Sequence, residues 1–518
     1  MPKDPGNEIP DPRAAGAVVG AGGGAAVNTE PQWFGHPRGL STLFFTEMWE
    51  RFSYYGMRAV LILFMTEATT AANPGLGFGT AESAAIYGLY TFFVYVLALP
   101  GGWVADKVWG QRKSVFVGGC IIMAGHIALA IPTTATFFTG LALIVAGTGL
   151  LKPNVSAMVG DLYPEGGARR DAGFSIFYTG INLGSFLGVT LVGLVGEGIN
   201  FHWGFSLAAL GMFLGLVQYK VGGRHIENAG TLTVDTDEAG LRSRTQRFYL
   251  VAAVVTGLAL LLGWLMANDA LGISLTELAA YLGYVVVGLA VLYFAFLFVA
   301  GGLTGVEKKR LGVIVWLFVL AAVFWSGFEQ AGSSLNLFAR DFTDRTIGRW
   351  EMPASLLQNV NAFFIILLAP VFGGLWTWLA RKNANPSIPL KFGFGLLGLA
   401  VGFLVLAWGA ANATETAQVG MSWLIVTYFF HTVGELSLSP VGLSSMTKLA
   451  PAGRVGQMMG VWFMAAALGN LFAGLVAGGL EGLPPGDLFM NVARTIGIAA
   501  LVAIAVSPFV KRFTAGVE

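Results

Sequence analysis

Seven ionisable side chains lie within stretches of sequence that are otherwise apolar. They are Glu47, Glu50, Arg51, Arg58, Lys152, Glu329 and Glu435. An ionisable group inside hydrocarbon is costly, and it normally faces a polar cavity, a partner charge or a transported ion. The apolar stretches therefore predict membrane helices, and the charges predict a polar site between those helices.

The densest cluster lies in the first apolar stretch. Glu47, Glu50, Arg51, Tyr54 and Arg58 recur at helical spacing, so we expect them along one face of a helix. Glu47 and Arg51 are spaced as an ion pair across one helical turn. Two carboxylates compete for the nearby cation, which favours a cluster that exchanges a proton. The alternative is a charge network that only fixes the helix register.

Two further segments of the first half carry polar groups. Lys152 precedes Pro153, and a proline in mid-membrane frees backbone groups that only a cavity can solvate. Tyr178 and Asn182 share one helix face. These two residues suit either a polar ligand or hydrogen bonds between helices.

The second half contributes the opposite charge. Glu329 and Glu435 are acidic, and the apolar stretches around them contain no evident Lys or Arg. Arg58 and Lys152 in one half are therefore expected to face Glu329 in the other. A ligand that bridges them needs an anionic and a cationic end, which favours an extended zwitterion over a sugar or a bare anion.

Composition excludes several classes of protein. Hydrophobic residues make up 55% of the 518 residues and charged residues only 11%, whereas an ordinary globular domain has about 25% charged residues. The formal net charge of +1 argues against a nucleic-acid surface. With five histidines, one cysteine and no His-Glu-x-x-His pattern, we expect no metal centre, no cofactor and no enzymatic activity.

The hydropathy pattern predicts an all-α polytopic membrane protein with fourteen helices. The predicted spans are 40–66, 82–105, 113–131, 136–160, 172–196, 203–219, 248–267, 277–301, 311–338, 355–380, 389–409, 420–446, 454–478 and 490–510. Lys and Arg concentrate in alternate connections, as at 107–113, 220–247 and 308–310. Because positive charge marks the cytoplasmic face, both termini are expected inside. Arg340, Arg345 and Arg349 form the one basic cluster on the other side.

Three motifs match a known family. The loop from Gly102 to Lys113 matches the G-x-x-x-D-R/K-x-x-G-x-R/K-R/K loop of the major facilitator superfamily. An E-x-x-E-R-F-x-Y-Y-G run begins at Glu47, and an F-Y-x-x-I-N-x-G run begins at Phe177. With these motifs the chain, from about residue 36 onward, resembles the bacterial proton-dependent oligopeptide transporters (POT), a branch of that superfamily.

The resemblance implies the major facilitator fold, with two six-helix bundles and two inserted helices. The implied division is a disordered cytoplasmic tail at 1–35, an N-terminal bundle at 36–220, a linker with the inserted pair at 221–310 and a C-terminal bundle at 311–518. It also implies a proton-coupled importer of di- and tripeptides, working by alternating access in the cell inner membrane, and a monomer. A transporter of nitrate or another small anion and a receptor that does not transport remain as alternatives.

The resemblance further implies roles for individual residues. Proton coupling would rest on Glu47, Glu50, Arg51 and Glu435. The peptide carboxylate would bind Arg58, Lys152 and Asn182, and the amino group would bind Glu329 and Asn361, with Glu435 near it. The cavity would be lined by Tyr54, Tyr55, Tyr95, Tyr178, Trp325 and Trp462.

Overall fold

A computed structural model of the chain describes residues 32–165, 167–232, 236–268 and 270–517. The predicted tail at 1–35 lies almost wholly outside the described residues. Twelve helical segments within the described ranges are long and apolar enough to cross a membrane. Two more long helices, which carry Glu47 and Glu435, complete the fourteen, and the predicted all-α polytopic architecture is confirmed.

The N-terminal half forms seven helices. They are α1 (Gly39–Thr66), α2 (Thr80–Val96), α3 (Ala98–Val104), α4 (Gln111–Leu129), α5 (Thr134–Asp161), α6 (Gly167–Gly198) and α7 (Phe201–Gly222). The predicted span 82–105 is two helices followed by a π-helical turn, Ala105–Trp109. Pro100 has no backbone N–H to donate to the carbonyl of Val96, and α2 ends at Val96.

The inserted pair and the C-terminal half follow. The inserted helices are α8 (Glu238–Ala267) and α9 (Leu275–Ala300); the remaining helices are α10 (Gly305–Phe328), α11 (Ser334–Asp341), α12 (Asn359–Arg381), α13 (Ile388–Gly409), α14 (Ser422–Leu449), α15 (Val455–Ala477) and α16 (Pro485–Lys511). The predicted start of the seventh span at 248 is wrong by about three turns, because Asp237 caps α8 by accepting from the Gly240 N–H at 2.9 Å.

The predicted single helix over 311–338 is also wrong. The segment begins earlier, at Gly305, where Thr304 and Glu307 form a capping box. It is then interrupted by a 3₁₀ turn over Glu329–Gly332 before α11 resumes. An added Cβ at Gly332 would lie 1.8 Å from the Tyr87 hydroxyl oxygen, so the turn approaches α2 closely only because this residue is glycine.

Short strands lie in the connections. β1 (Gln32–Trp33) pairs antiparallel with β2 (His36–Pro37), β3 (Thr343–Asp344) pairs parallel with β6 (Val419–Gly420), and β4 (Thr346–Ile347) pairs antiparallel with β5 (Trp350–Glu351). These strand pairs lie in the segment before α1 and in the connections that follow α11 and α13.

The packing of the two halves repeats. In the N-terminal half α1 packs on α6, and α4 packs on both α5 and α7; in the C-terminal half α10 packs on α15, and α13 packs on both α14 and α16. The halves meet through α2 with α15 and α6 with α12. This repetition is the two-bundle arrangement of the major facilitator fold.

Glycines set the position of the charged helix. An added Cβ at Gly184 of α6 would lie 2.1 Å from the Met48 carbonyl oxygen, and one at Gly188 would lie 2.3 Å from that of Phe52. Small residues allow membrane helices this close approach. As a result α1 lies against α6 over the turns that carry its ionisable residues.

The inserted pair lies at the edge of the two bundles. α9 packs against both α2 and α15, so it covers the line where the two bundles meet. α8 contacts the turn Ala105–Trp109, with the rings of Trp109 and Phe248 5.3 Å apart. Most of the apolar side chains of α8 are exposed and suit contact with lipid.

Candidate functional site

One turn of α1 holds two carboxylates on a single guanidinium. Arg51 Nε lies 2.8 Å from Glu47 Oε1 and 2.7 Å from Glu50 Oε2, and all three side chains are buried. Glu47 Oε2, Glu50 Oε1 and Arg51 Nη2 have no hydrogen-bond partner within the described ranges. The predicted pairing of Glu47 with Arg51 is present. With both acids ionised the cluster carries one excess negative charge, which one bound proton neutralises.

About two turns further along α1, an ion pair links the two bundles. Arg58 Nη2 donates to Glu329 Oε2, and Arg58 Nε donates to the hydroxyl of Tyr87 in α2. Both charged side chains are more than nine-tenths buried. Glu329 begins the 3₁₀ turn after α10, so the break in that helix places its carboxylate against α1. The predicted opposition of Arg58 and Glu329 is therefore a direct contact.

Lys152 lies near both the α1 cluster and this ion pair. Its Nζ lies 4.1 Å from the centroid of the Tyr95 ring, a cation–π contact. It forms no ion pair with any residue in the described part of the chain, although Glu47, Glu50 and Glu329 act on it electrostatically. Pro153 lies inside α5 without ending it. A half-buried ammonium group is thus available to an anionic ligand.

A second polar group belongs to the C-terminal bundle. Asn361 Nδ2 donates to Thr432 Oγ1 at 3.0 Å and to Glu435 Oε2 at 3.3 Å. Asn361 therefore contacts Glu435 directly. Glu329 and Glu435 still act on each other electrostatically, so the second group adjoins the first.

Tyr178 and Asn182 lie on α6. Asn182 Nδ2 donates to the backbone oxygen of Tyr178 at 3.0 Å, so this amide is used within its own helix. The Tyr178 side chain is 53% exposed, and both Glu435 and Tyr55 act on it electrostatically. Tyr178 therefore faces the second polar group.

The other aromatic residues differ in position. The Tyr54 ring stacks on that of Tyr90 at 6.3 Å and contacts the Tyr55 ring at 5.2 Å. Trp325 fits against Gly469, where an added Cβ would lie 2.3 Å from the Trp325 Cβ. Trp462 is buried against Gly442, where an added Cβ would lie 2.1 Å from its ring.

Sequence reasoning missed Tyr87, Tyr90 and Thr432. Tyr87 and Tyr90 are three residues apart and so share the face of α2 that meets α1, a spacing that was available as a signal. Thr432 lies three residues before Glu435, again on one face. No charge drew attention to these residues, and tyrosine or threonine in an apolar helix usually packs against neighbours.

Hydrogen bonds also join the bundles at the end that carries the α1–α2 and α6–α7 connections. The Glu197 carboxylate accepts from the Ala354 N–H at 2.9 Å and the Ser355 N–H at 3.0 Å, and the Ser355 hydroxyl donates to it as well. Glu481 Oε2 accepts from the Ala81 N–H at 2.7 Å. These contacts close the molecule at that end.

Two of the three basic residues at the same end have acidic partners. Arg340 Nε lies 2.6 Å from Asp341 Oδ1, and Arg340 Nη1 lies 3.7 Å from Glu67 Oε2. Arg345 Nη2 lies 2.8 Å from Glu351 Oε1. Arg340 and Arg345, which are exceptions to the predicted charge alternation, therefore contribute little net positive charge at this end of the molecule.

Comparison with known proteins assigns the chain to a family. The family model described as POT family matches residues 112–236 and 284–483, more than half of the chain. The chain belongs to the POT family. Relatives of this POT family protein include the peptide transporter YePEPT of Yersinia enterocolitica subsp. palearctica, 40% identical over 487 residues, which are 92% of this chain and 95% of that protein. A di-/tripeptide transporter of Lactococcus lactis subsp. lactis is 39% identical over 445 residues, 84% of this chain and 88% of that protein.

Solved POT family structures share the fold. A crystal structure of a peptide transporter POT in complex with sulfate superimposes with a TM-score of 0.85 at 39% identity, over 93% of this chain and 97% of that one. A POT family transporter in complex with a thioalcohol conjugated peptide has a TM-score of 0.84 at 33% identity, over 93% and 99% of the two chains. This chain is accordingly a multi-pass membrane protein of the same fold.

Proposed function

We propose that this POT family protein is a proton-coupled symporter that imports di- and tripeptides. The names of its relatives, peptide transporter and di-/tripeptide transporter, support this substrate class. The observation that carries the proposal is the buried ion pair between Arg58 and Glu329, one residue from each bundle. A zwitterionic peptide supplies a counter-charge to both members of this pair.

Each end of the peptide has a matching group. Its carboxylate binds Arg58 together with Lys152, whose ammonium group has no acidic partner among the described residues. Its amino group binds Glu329, with Asn361 and Glu435 beside it. Charge-assisted hydrogen bonds to both termini then replace the bond between the bundles. A bare anion would satisfy Arg58 but leave the buried Glu329 without a partner, which is costly.

Proton coupling is assigned to the α1 cluster. A proton on Glu47 or Glu50 removes one competitor for Arg51 and leaves a neutral group of three residues. This changes the electrostatic environment of Lys152, on which both carboxylates act. The inward proton gradient and the membrane potential drive uptake, the potential contributing about 2.3 kcal/mol per charge per 100 mV.

The two bundles provide alternating access around this site. In the orientation we propose, both termini are cytoplasmic, and the end closed by Glu197 and Ser355 faces outward. The structure then corresponds to the form that is closed to the outside. The protein acts as a monomer in the cell inner membrane, needs no cofactor other than protons and catalyses no chemical reaction.

Uptake into proteoliposomes tests the proposal. Di- and tripeptides should accumulate when a pH gradient is applied and should only equilibrate without it, and peptide addition should itself drive proton entry. Nitrate in excess should not compete with peptide. Competition by nitrate would favour the small-anion transporter, and peptide binding without proton flux would favour a receptor.

A further inference from the structure

A groove of about 480 Å³ opens on the surface between α1 and α7, away from the peptide site. Its wall is largely apolar and includes Trp49 of α1 and Leu214, Val217 and Val221 of α7. Val221 is 71% exposed, and Leu214 and Val217 are partly exposed. The groove therefore presents an open apolar wall that is accessible to lipid.

The ionisable residues of the groove are all basic. They lie at its end, where α1 begins and α7 ends, and they are Arg38, Arg224 and His225. Arg38 and Arg224 both act electrostatically on His225, so the two guanidinium groups lie near the same imidazole. Neither arginine side chain forms an ion pair within the described ranges of the chain.

The same three residues also line a neighbouring cavity of about 840 Å³. Two of its acids are already engaged: Glu165 pairs with Arg169 at 3.5 Å, and Asp161 accepts from the Gly230 N–H at 3.0 Å. Glu227 is the third acid of this cavity. The basic cluster thus joins a polar cavity on one side to an apolar groove on the other.

We propose that this site binds an anionic glycerophospholipid. The phosphodiester lies at Arg38 and Arg224, and an acyl chain follows the groove past Val217 and Trp49. Clusters of basic residues at the membrane surface attract anionic headgroups, and only a molecule with both an anionic head and an apolar chain occupies both parts. Such a lipid would contact α1 on the side of Trp49, one residue before Glu50.

Quenching of Trp49 fluorescence by brominated lipids tests the proposal. The full-length protein is reconstituted with brominated phosphatidylglycerol or brominated phosphatidylcholine at equal mole fraction, and the Trp49→Phe variant gives the background from the other tryptophans. Trp49 should be quenched more strongly by the anionic lipid. Arg38→Gln and Arg224→Gln should each lower this preference by about fivefold, whereas the corresponding lysine variants should retain it.

Lys220→Gln is the matched control. Lys220 lies near the same end of α7, but it contacts the Phe116 ring at 5.4 Å and lines neither the groove nor the cavity. Its substitution should leave the lipid preference unchanged. The proposal is overturned if Trp49 is quenched equally by both lipids, if Arg38→Gln and Arg224→Gln together leave the preference intact, or if inorganic phosphate at matched ionic strength displaces the anionic lipid.

Discussion

Arg51 has two carboxylates within 2.8 Å, so the three side chains together carry one excess negative charge; Lys152 acts on both acids electrostatically but forms no ion pair with either in the described part of the chain. In a medium of low dielectric constant the excess negative charge is costly, and a proton removes it at the expense of one ion pair. A structural salt bridge needs only one acid. The second acid is what makes this turn of α1 responsive to protons.

Glu47→Gln and Glu50→Gln should each abolish uptake driven by a pH gradient. Glutamine mimics a carboxyl group that stays protonated, so the variant cannot release a proton inside the cell. Counterflow exchange of peptide, which needs no net proton movement, should survive. Glu82→Gln, at an exposed carboxylate in the first turn of α2, is the control and should transport normally. Concentrative uptake by both α1 variants would remove the cluster from the coupling mechanism.

Glu329 should determine the response to the peptide amino group. Acetylating the amino terminus of a dipeptide removes a charge-assisted hydrogen bond, so binding to the parent protein should weaken by roughly 1.5–3 kcal/mol. The Glu329→Gln variant should already bind the unmodified dipeptide weakly, so acetylation should reduce its binding free energy far less than in the parent protein. Binding of both peptides to both proteins is measured by calorimetry. Equal acetylation penalties would mean that the amino group binds elsewhere.

The carboxylate end of the peptide provides the matching comparison. A dipeptide amidated at its carboxyl terminus should bind the parent protein more weakly than the unmodified dipeptide. Lys152→Gln should bind these two peptides about equally, but it should still bind the acetylated dipeptide more weakly than the unmodified one. The two variants thus report on opposite ends of one ligand. If Glu329→Gln and Lys152→Gln each changed the effect of both acetylation and amidation on binding, the substitutions would have damaged the site as a whole.

At the scale of elements, the breaks in helices position the site as much as the helices do. α10 ends where Glu329 begins a 3₁₀ turn, and the glycine at 332 lets that turn approach Tyr87. A continuous helix would keep this backbone away from α2. Likewise, Glu197 at the end of α6 binds the first N–H groups of the 3₁₀ turn Ala354–Gln358, where a negative charge is favourable.

Glu197→Gln should weaken closure at that end of the molecule. The amide keeps one acceptor oxygen but loses the charge, which should cost the closed form roughly 1–3 kcal/mol. Spin labels at Thr70 and Glu415, in the α1–α2 and α13–α14 connections, report the separation of the bundles. The longer-distance population should increase in the variant.

Glu351→Gln serves as the control for this experiment. It removes a carboxylate at the same end, but Glu351 pairs with Arg345 inside its own bundle. The distance distribution should therefore match that of the parent protein. If Glu197→Gln behaved identically to this control, the contact between α6 and the turn before α12 would not contribute to closure.

For the whole molecule, hydropathy was sufficient to predict fourteen spans and their order, but not the breaks that divide the spans at 82–105 and 311–338 into two helices each. Long apolar stretches have few alternatives in a membrane, so fourteen spans and two bundles followed from composition, spacing and the family motifs. The ends were less predictable. α8 begins ten residues before the apolar run at 248, because a polar first turn is stabilised by the Asp237 cap, and hydropathy carries no record of capping.

The site was predictable in its charges and less so in its contacts. The seven ionisable residues of the apolar stretches lie in the α1 cluster, in or near the ion pair that joins the bundles, or in the group around Asn361, since buried charge is conspicuous in an apolar sequence. The pairing of Arg58 with Glu329 joins residues 271 positions apart, and that of Asn361 with Glu435 depends on how α12 packs on α14. Tyr87 was missed because a neutral residue gives no signal until the helix facing it is known.

The proposed orientation of the molecule can be tested directly with single cysteines. After Cys120→Ser, cysteines at Thr70 and Glu415 should react with an impermeant maleimide added outside intact cells, whereas cysteines at Ala239 and Ala384 should react only after permeabilisation. All four positions are exposed in connections or at a helix start. Positive charge is held on the cytoplasmic side, and Arg340 and Arg345 do not oppose this because acids neutralise them. A reversed labelling pattern would place the closed end of the molecule inside, and the structure would then correspond to the outward-facing form.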